Sequence, residues 1–404
     1  MSDGRQNRRA VALIAVMWVL VLLAVMVTVA TQETYMDTRI SMSASDRIRC
    51  KWAARAGLER AIAVLESDLR DSDSLYDPWS AYMAVADFNN IVLDGCRFSV
   101  SVTDEAGKLN INTITREQLL WLPDMTEEIA DAILDWRDSD DEARELGVET
   151  PYYVNLERGY PARNGDFRTI RELLQVRGVT QALLYGRGGG AEAISDYNQG
   201  WIRYLTCYSY DLNVDADGNP RIDINRANER QLQEELGISA AQARWIAQNR
   251  RYDSIADLLD KATSAAQGDE QSEPITEQVF YDIADKITTT RRSRIRGRVN
   301  VNTAPAWVLT ALLGGNEPVA QDIVAYREGL AGGITTLADL RNVPSVTLDL
   351  AKEFVNYVTT RSNVYTVHVV ATGDRSGLSY EVEAVVDRGE SPTQILYFRE
   401  GAIY

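Results

Sequence analysis

The chain begins with an uncharged apolar run, the strongest feature of its pattern of hydrophobic and polar positions. Residues 11–30 contain no charged side chain and a single threonine, Thr28. As an α-helix this run is about 30 Å long, which matches the hydrocarbon core of a bilayer. Arg5, Arg8 and Arg9 precede it, whereas the first charges after it are acidic. The pattern predicts a single membrane span with a cytoplasmic N-terminus and the bulk of the chain across the membrane.

The polar residues that follow keep a helical spacing. Residues 31–69 contain no proline and one glycine, Gly57. Apolar residues recur every four positions and then at spacings of four and three: Met36, Ile40, Ala44, Ile48, Trp52, Leu58, Ile62, Leu65 and Leu69. This spacing predicts one face of an amphipathic helix. We therefore expect one helix from Val11 to about Asp68, roughly 87 Å long. A cleaved secretory signal and a plain signal anchor are the alternatives.

Three later segments align without gaps and predict an internal repeat. The signature of each is an Asn or Asp, any residue, and an Asn: Asn110 and Asn112, Asp223 and Asn225, Asn300 and Asn302. Counted from the second Asn, Leu follows at +7, Ala at +18, Ile at +21 and Arg at +25 in every copy. We expect each unit to contain an extended entry, a short helix, a tight turn and a second helix. Thr115 with Gln118 is typical of a helix cap.

The repeat is similar to helix-hairpin-helix units, some of which bind DNA through the backbone amides of a Gly-apolar-Gly turn. None of the hairpins at residues 123–125, 237–239 and 314–316 keeps both glycines in that pattern. Glu127 and Glu128 would repel phosphate, and a net charge of −17 disfavours nucleic acid. We interpret the repeat as a packing scaffold. A membrane-anchored DNA-binding or DNA-uptake protein is the alternative.

Strand-like alternation occurs on both sides of the repeats, at residues 96–103 and again after residue 363. The economical arrangement is an α+β fold. In it, a long N-terminal helix, transmembrane and then amphipathic, packs on a small antiparallel sheet. A large all-α, helix-hairpin-helix-like domain is inserted between the strands.

This order of elements resembles a known family. The motifs are Asp104-x-x-Gly107-x-x-Asn110-x-Asn112, the acidic run 135–141, Tyr152-Tyr153 and Asn300-x-Asn302-Thr303-Ala304. In combination they are similar to minor pseudopilin K of type II secretion systems, within the type IV pilin-like superfamily. A minor pilin of a type IV pilus has a similar pattern and is a further alternative.

The resemblance implies a processed N-terminus. A prepilin peptidase would cut between Ala10 and Val11 and methylate the new end, although the family has glycine where this chain has Ala10. The fifth residue after the cut is usually glutamate, and here it is Ala15. Lack of that glutamate is typical of pseudopilin K and implies a position at the tip of the periplasmic pseudopilus.

The resemblance also implies partners and boundaries. The partners would be the I and J minor pseudopilins, through the N-terminal helix, and the inner-membrane secretion platform, with no nucleic acid. The protein would be a single-pass inner-membrane protein. The boundaries would be 1–10 for a cytoplasmic leader, 11–31 for the transmembrane helix, 32–112 for the pilin-like helix and first strands, 113–221, 222–290 and 291–360 for three helical units, and 361–404 for closing strands. The middle unit is a departure, because the family usually has two.

Structural calcium is the cofactor that the resemblance implies. Calcium prefers six to eight oxygen ligands. The acidic loop after the first unit offers Asp135, Asp138, Asp140, Asp141 and Glu149. Residues 213–218 are a second candidate, although Ile224 occupies the position of a bidentate glutamate. A solvated acidic loop and a polar hairpin turn, respectively, are the alternatives.

The remaining composition excludes most catalytic schemes. The chain has one histidine, His368, and three cysteines, so no enzyme is predicted. Cys50 and Cys96 could bridge helix and strand or stay buried thiols. Five arginines within residues 291–298 favour a solvated linker, with a docking patch for an acidic partner as the alternative. Residues 186–190 are read as a glycine-rich loop without the context of a nucleotide site.

Overall fold

A single unbroken helix, α1, runs from Asp3 to Ser67 in the computed structural model. The structure describes residues 3–80, 88–186, 199–266 and 275–403. At 65 residues, α1 is about 98 Å long. The prediction of one long N-terminal helix is confirmed. So is the α+β class, because the second half of α1 packs on an antiparallel sheet.

The elements are numbered in chain order. The helices are α1 (Asp3–Ser67), α2 (Arg116–Leu119), α3 (Glu127–Arg137), α4 (Thr150–Val154), α5 (Gln181–Tyr185), α6 (Glu229–Leu236), α7 (Ala240–Gln248), α8 (Ile255–Ala266), α9 (Glu277–Ala284), α10 (Ala306–Leu312), α11 (Glu317–Glu328) and α12 (Leu348–Phe354). The strands are β1 (Ile91–Leu93), β2 (Cys96–Asp104), β3 (Leu109–Asn110), β4 (Leu205–Thr206), β5 (Tyr210–Leu212), β6 (Ile222–Asp223), β7 (Ile287–Thr288), β8 (Arg294–Arg296), β9 (Val299–Asn300), β10 (Val358–Thr359), β11 (Val364–Gly373), β12 (Ser379–Asp387) and β13 (Gln394–Ile403). Short 3-10 helices lie at Ile170–Gln175, Trp201–Arg203, Leu337–Asn342 and Val355–Tyr357.

The predicted apolar face of α1 packs on the sheet only in its second half, where Leu58 and Leu65 are buried. Its buried apolar residues are Cys50, Ala53, Ala54, Leu58, Ala61 and Leu65. By contrast, Met36 and Trp52 are 62% and 60% exposed. Four residues of an α-helix turn about 400°, so a strict four-residue spacing drifts about 40° per step. Met36 and Trp52 therefore lie roughly 160° apart around the helix and cannot share one face.

Five antiparallel strands form the sheet, in the order β1-β2-β11-β12-β13. Along β2 the buried residues Phe98, Val100 and Val102 alternate with more exposed ones, so one face of the sheet meets α1. Gly57 marks the closest approach, because a Cβ there would lie 2.7 Å from Cγ1 of Val369. Only glycine allows the helix this near to the sheet.

The inserted domain leaves and rejoins the sheet at adjacent strand ends. Asp104, the last residue of β2, is paired with Tyr365 in β11. The next amide, of Glu105, donates to the carbonyl oxygen of Val364 at 3.0 Å. Between these points the described residues contain β3 to β10, each two or three residues long, in addition to the helices. The insert is therefore mainly helical but not all-α as expected.

Each repeat is closed by a pair of parallel strands. The entry strand lies beside the exit strand in all three units, as β3 with β4, β6 with β7 and β9 with β10. The helical hairpins α2–α3, α6–α7 and α10–α11 follow the three entries. The units therefore extend over residues 109–206, 222–288 and 299–359.

The second asparagine of each signature forms two hydrogen bonds with the backbone of a residue later in the same unit. The Nδ2 of Asn302 donates to the carbonyl oxygen of Ile334 at 2.8 Å, and its Oδ1 accepts from the Ile334 amide at 2.7 Å. The other two units repeat both bonds. The three pairs are Asn112 with Phe167, Asn225 with Tyr252, and Asn302 with Ile334. Only an amide side chain offers a donor and an acceptor in this arrangement.

Two further positions complete each unit: the first residue of the signature and the arginine at +25. Asn110, Asp223 and Asn300 each accept the amide of the second asparagine at 3.0 Å, which turns the chain after the entry strand. Arg327 donates to the carbonyl oxygens of Val301 and Ala304 at 2.6 and 2.7 Å. Arg137 and Arg250 bond equivalent carbonyls in their own units. Burial lowers the pKa of Arg327 to about 10, because the charged guanidinium loses its hydration there.

A buried polar network, here called the junction, joins α1, the sheet and the third repeat. It centres on two carboxylates, Asp73 and Asp104, which are 0% and 5% exposed. Asp73 accepts from the Ser362 amide at 2.7 Å and from the Tyr365 hydroxyl at 2.8 Å. Asp73 also pairs with Arg388, whose guanidinium reaches back to Asp68 after the end of α1 at 3.0 Å. Burial raises the pKa of Asp73 to about 7 against the opposing effect of Arg388.

Asp104 ties the same junction to the repeat signature. Its Oδ2 accepts from the hydroxyls of Ser362 and Thr303 at 2.5 Å each. The Nδ2 of Asn300 donates to it at 3.2 Å and to the backbone carbonyl oxygen of Asp73 at 3.0 Å. Asn300 therefore positions the third repeat against both carboxylates.

A second ionic cluster joins the repeats to one another. Arg221 donates to Asp211 at 2.8 Å and to Asp285 at 3.1 Å. Arg298 reaches Asp211 at 3.0 Å, and Arg361 reaches Asp285 at 2.9 Å. These residues come from the end of the first unit, both sides of the second and both sides of the third, so the cluster fixes the units against each other.

The arginine stretch at residues 291–298 is thus more than the solvated linker that was expected. Arg298 is 5% exposed within the ionic cluster. Arg294 lies over the ring of Tyr210 and pairs with Glu390, and Arg296 pairs with Asp166. These contacts attach β8 to the first unit and to the loop after β12, whereas Arg291 and Arg292 are exposed.

Replacing Arg388 with methionine is expected to destabilise the protein by about 3–5 kcal/mol, because it leaves Asp73 buried without its guanidinium. Chemical denaturation of the detergent-solubilised full chain measures this. Arg399→Met is the matched control, because Arg399 pairs with Glu381 and Glu383 at the surface, and it should cost about 0–1 kcal/mol. Equal losses for the two variants would contradict a central role for the junction.

Candidate metal centre and helix surface

Three carboxylates of the acidic loop come together beside the first repeat. Oxygen atoms of Asp135, Asp138 and Glu149 all lie within 4.8 Å of one another. Asp135 is in the last turn of α3, Asp138 caps its end, and Glu149 precedes α4 as its N-cap residue. Gly147 lets the loop close over them, because a Cβ there would lie 1.8 Å from Oδ2 of Asp135.

The charge of this cluster is only partly balanced. Arg144 donates to Asp135 and to Asp138, both at 2.5 Å. When all three carboxylates are ionised, one guanidinium leaves two negative charges, which one calcium ion would neutralise. Both carboxylate oxygens of Glu149, which is 4% exposed, lack a hydrogen-bond partner within the described part of the chain. Burial and the neighbouring carboxylates raise the pKa of Glu149 to about 7.

Aromatic packing supports the base of the acidic loop. The ring of Trp136 meets Tyr153 at 4.9 Å between centroids and Tyr160 at 6.1 Å. The Nε1 of Trp136 donates to Glu172 at 3.2 Å. Tyr153, the second residue of the Tyr152-Tyr153 motif, is fully buried in this packing. These contacts hold α3 and α4 together and so set the distance between Asp138 and Glu149.

The structure groups only some of the predicted ligands. Asp138 and Glu149 are in the cluster with Asp135, whereas Asp140 and Asp141 are exposed and outside it. Asp141 accepts from Nδ2 of Asn164 at 2.9 Å, and Asn164 also bonds the carbonyl of Asp140. The Oδ1 of Asn164 is a further buried oxygen without a partner among the described residues.

The second calcium candidate, residues 213–218, forms a polar hairpin. The Asp215 amide donates to the Asn219 carbonyl, and the Asp215 carboxylate accepts the Asn219 amide at 2.8 Å. Asp217 points to solvent. The carboxylate of Asp215 is therefore used by the turn itself, and the residues do not converge as ligands.

A third acidic group, which the sequence did not predict, lies at the junction. Asp68, Asp73 and Asp77 place oxygens within 4.8 Å of one another. Arg388 pairs with Asp68 and Asp73, and Asp77 accepts the Ser74 amide at 2.6 Å. The guanidinium of Arg388 already supplies positive charge to this group, so the acidic loop is the better metal candidate.

The N-terminal half of α1 presents an apolar surface with no protein against it. In the described part of the chain, α1 is the one helix long and apolar enough to cross a membrane. Leu13, Trp18 and Met26 are 69%, 64% and 66% exposed. The exposure continues beyond the apolar run to Ile40 and Ile48, at 66% and 62%.

The predicted processing residues lie on this same helix. Ala10 and Val11 are within α1, and their side chains are outside the described part. Ala15 is exposed, one turn after them. The run therefore offers no acidic group along its first turns.

Two hairpin glycines have local structural roles, one in close packing and one in ending a helix. A Cβ at Gly315 would lie 2.1 Å from the Trp121 ring, and Gly237 ends α6 in the left-handed conformation. Of the other residues singled out, His368 bonds Glu381 across β11 and β12 at 2.7 Å. Of the predicted glycine-rich loop only Gly186 is described, and residues 187–190 lie outside the described residues.

Comparison with known proteins finds a family that part of the chain resembles. The family described as "Type II secretion system (T2SS), protein K" matches residues 104–185, which hold the first repeat and the acidic loop. A type II secretion system protein K of Klebsiella pneumoniae is 24% identical in an alignment that covers 44% of this chain and 60% of the relative. The match thus spans less than two thirds of that relative's length.

The fold is also similar to a solved structure. The chain matches one chain of the GspK-GspI-GspJ complex of the enterotoxigenic Escherichia coli type 2 secretion system with a TM-score of 0.51 and 14% identity. The match covers 89% of this chain and 99% of that chain. The chain is therefore similar to type II secretion system protein K over residues 104–185, and its fold is similar to that of one chain of the solved complex.

Proposed function

We propose that the protein is a minor pseudopilin, which initiates or caps the tip of a periplasmic pseudopilus and so takes part in protein export. The proposal rests on the two halves of α1. The first half is apolar and exposed, and the second half packs on the sheet. Such a helix is stable in a bilayer and equally stable among other apolar helices. It can therefore pass from the membrane into a helical filament.

A tip position follows from the charges of α1. In a pilin-like filament, a glutamate of one subunit neutralises the N-terminus of a neighbour. Ala15 occupies that position here, so the subunit cannot neutralise the N-terminus of a neighbour above it. The bulky three-repeat domain would also obstruct further subunits on that side. The partners that fit are I and J minor pseudopilins, since the solved complex of similar fold contains GspI and GspJ.

The charges around the apolar run support one topology. Arg5, Arg8 and Arg9 precede it, and acidic residues follow it, so the N-terminus would stay in the cytoplasm and the domain would be periplasmic. The inner-membrane secretion platform would then meet the protein through α1.

Calcium would hold the acidic loop closed. Asp135, Asp138 and Glu149 would bind the ion through carboxylate oxygens, which are ligands that calcium prefers. The partnerless oxygens of Glu149 and the two uncompensated charges support this fit. The role of the ion is structural, because it would fix α4 and the aromatic packing beneath the loop.

Co-expression with a prepilin peptidase is expected to yield a chain that starts at methylated Val11. Intact-mass measurement of the N-terminus checks this. Ala10→Gly, which restores the glycine of the family, should be processed at least as fast. A wild-type chain that keeps Met1 while the Ala10→Gly variant is cleaved would contradict filament entry by this route.

Ile48→Glu is expected to reduce recovery of co-expressed I and J pseudopilins about tenfold, the effect of losing one central apolar contact. Affinity purification of the full chain in detergent measures the recovery. Thr38→Glu is the matched control, because Thr38 is equally exposed on α1 and its hydroxyl bonds only its own helix, at Thr34. Undiminished recovery with Ile48→Glu would contradict assembly through this surface.

Calcium is expected to raise the melting temperature of the wild type relative to chelator. Glu149→Gln should abolish that rise and, without calcium, should melt higher than wild type, because it removes an uncompensated buried charge. Asp217→Asn, in the polar hairpin, is the control and should keep the calcium response. A wild-type melting curve that chelator does not shift would sink the calcium proposal.

A further inference from the structure

Two cysteines that are far apart in the sequence meet at the interface of α1 and the sheet. The Sγ atoms of Cys50, on α1, and Cys96, the first residue of β2, are 2.7 Å apart. Both residues are fully buried. A disulfide bond is about 2.05 Å long, so the two sulfur atoms need to move by less than 1 Å to bond.

The surroundings of the pair are fixed from several sides. Cys50 also approaches the carbonyl oxygen of Leu378 at 3.9 Å, in the β11–β12 connection. One turn earlier on α1, Asp46 accepts the amide of Ser376 at 3.0 Å. Cys96 is paired in register with Gly373 of β11. The backbone segments that carry the two cysteines are therefore fixed relative to each other.

We propose that Cys50 and Cys96 form a disulfide that covalently fixes α1 to the sheet. The proposal rests on the periplasmic location in the proposed function, because disulfides persist in oxidising compartments. Cys207 lacks a comparable partner among the described residues and would remain a thiol.

The bond would form by thiol–disulfide exchange with a protein disulfide oxidant. One cysteine, as its thiolate, attacks the oxidant's disulfide, which gives a mixed disulfide and releases one oxidant thiol. The other cysteine then attacks the mixed disulfide, forms the Cys50–Cys96 bond and releases the second oxidant thiol. Two protons leave the cysteines, and two electrons reduce the oxidant to a dithiol. Burial raises the pKa of Cys50 to about 12, so exchange occurs before the domain closes.

The position of the pair indicates what the bond would stabilise. Asp46 and Cys50 are in the first turns of α1 that the domain buries, whereas residues before them are mostly exposed. Any force between the membrane or filament and the domain enters at this point. A covalent link there would prevent α1 from peeling off the sheet.

The test is differential alkylation of the full chain from membranes quenched in acid. Free thiols are blocked with N-ethylmaleimide in denaturant, the sample is reduced, and newly released thiols take iodoacetamide. Peptide masses are expected to show the second label on Cys50 and Cys96 and the first on Cys207. Protease treatment of spheroplasts shows separately whether the domain is periplasmic. If protease reaches the domain but all three cysteines carry N-ethylmaleimide, the disulfide is overturned and the proposed topology stands.

A purified-protein experiment separates the two proposals if the domain is instead protected in spheroplasts. The reduced chain is refolded in detergent with a glutathione buffer that mimics an oxidising compartment. A Cys50–Cys96 linkage at equilibrium supports the inference about the structure, and its absence overturns the inference wherever the domain lies. Reduction of the linked protein should lower its melting temperature by about 5 °C or more.

Matched variants exclude a general effect of cysteine loss. Cys207→Ala should keep the linkage and the response to reductant. The double variant Cys50→Ala, Cys96→Ala should melt at one temperature with and without reductant. Cys50→Ala alone should move Cys96 to the first label. A reductant response that survives in the double variant would overturn the assignment.

Discussion

The fold depends on keeping Asp73 and Asp104 satisfied away from water. A buried carboxylate is costly unless charges and donors surround it. Asp73 lies in the loop after α1, but the donors come from the end of β12, the segment before β11 and the third repeat, as Arg388, Ser362 and Asn300 show. No one part of the chain can supply them alone. The junction therefore forms only when helix, sheet and insert are all in place, which favours a single arrangement of three otherwise separate units.

Much of the fold could be predicted because its signals are local. The charge-free run and the absence of proline predict α1, and the thrice-repeated asparagines predict the units. The hydrogen bonds that these asparagines form could not be predicted from local sequence, since Asn302 bonds to Ile334, 32 residues away. The packing face of α1 was predicted only in part, for a geometric reason. The strict spacing of four from Met36 to Trp52 does not follow one face, whereas the buried face combines small residues around Gly57 with the predicted Leu58 and Leu65.

The candidate metal centre was predicted in part. Residue type identified the acidic loop, but neighbours in sequence are not neighbours in space. Asp140 and Asp141 follow Asp138 directly yet lie outside the cluster, whereas Gly147 brings Glu149 into it. The pairing of Arg388 with Asp73 spans 315 residues. No local pattern indicates such a pair, because it exists only after the sheet has brought the chain ends together.

The parallel pairing of each repeat's entry and exit strands has an evolutionary consequence. A unit closed in this way begins and ends at the same place with the chain travelling in the same direction. It can therefore be duplicated or deleted as a cassette, with the path of the flanking chain unchanged. The middle unit, residues 222–288, fits this description. Gene duplication could enlarge the domain in one lineage without redesign of the sheet or of the helix that enters the membrane.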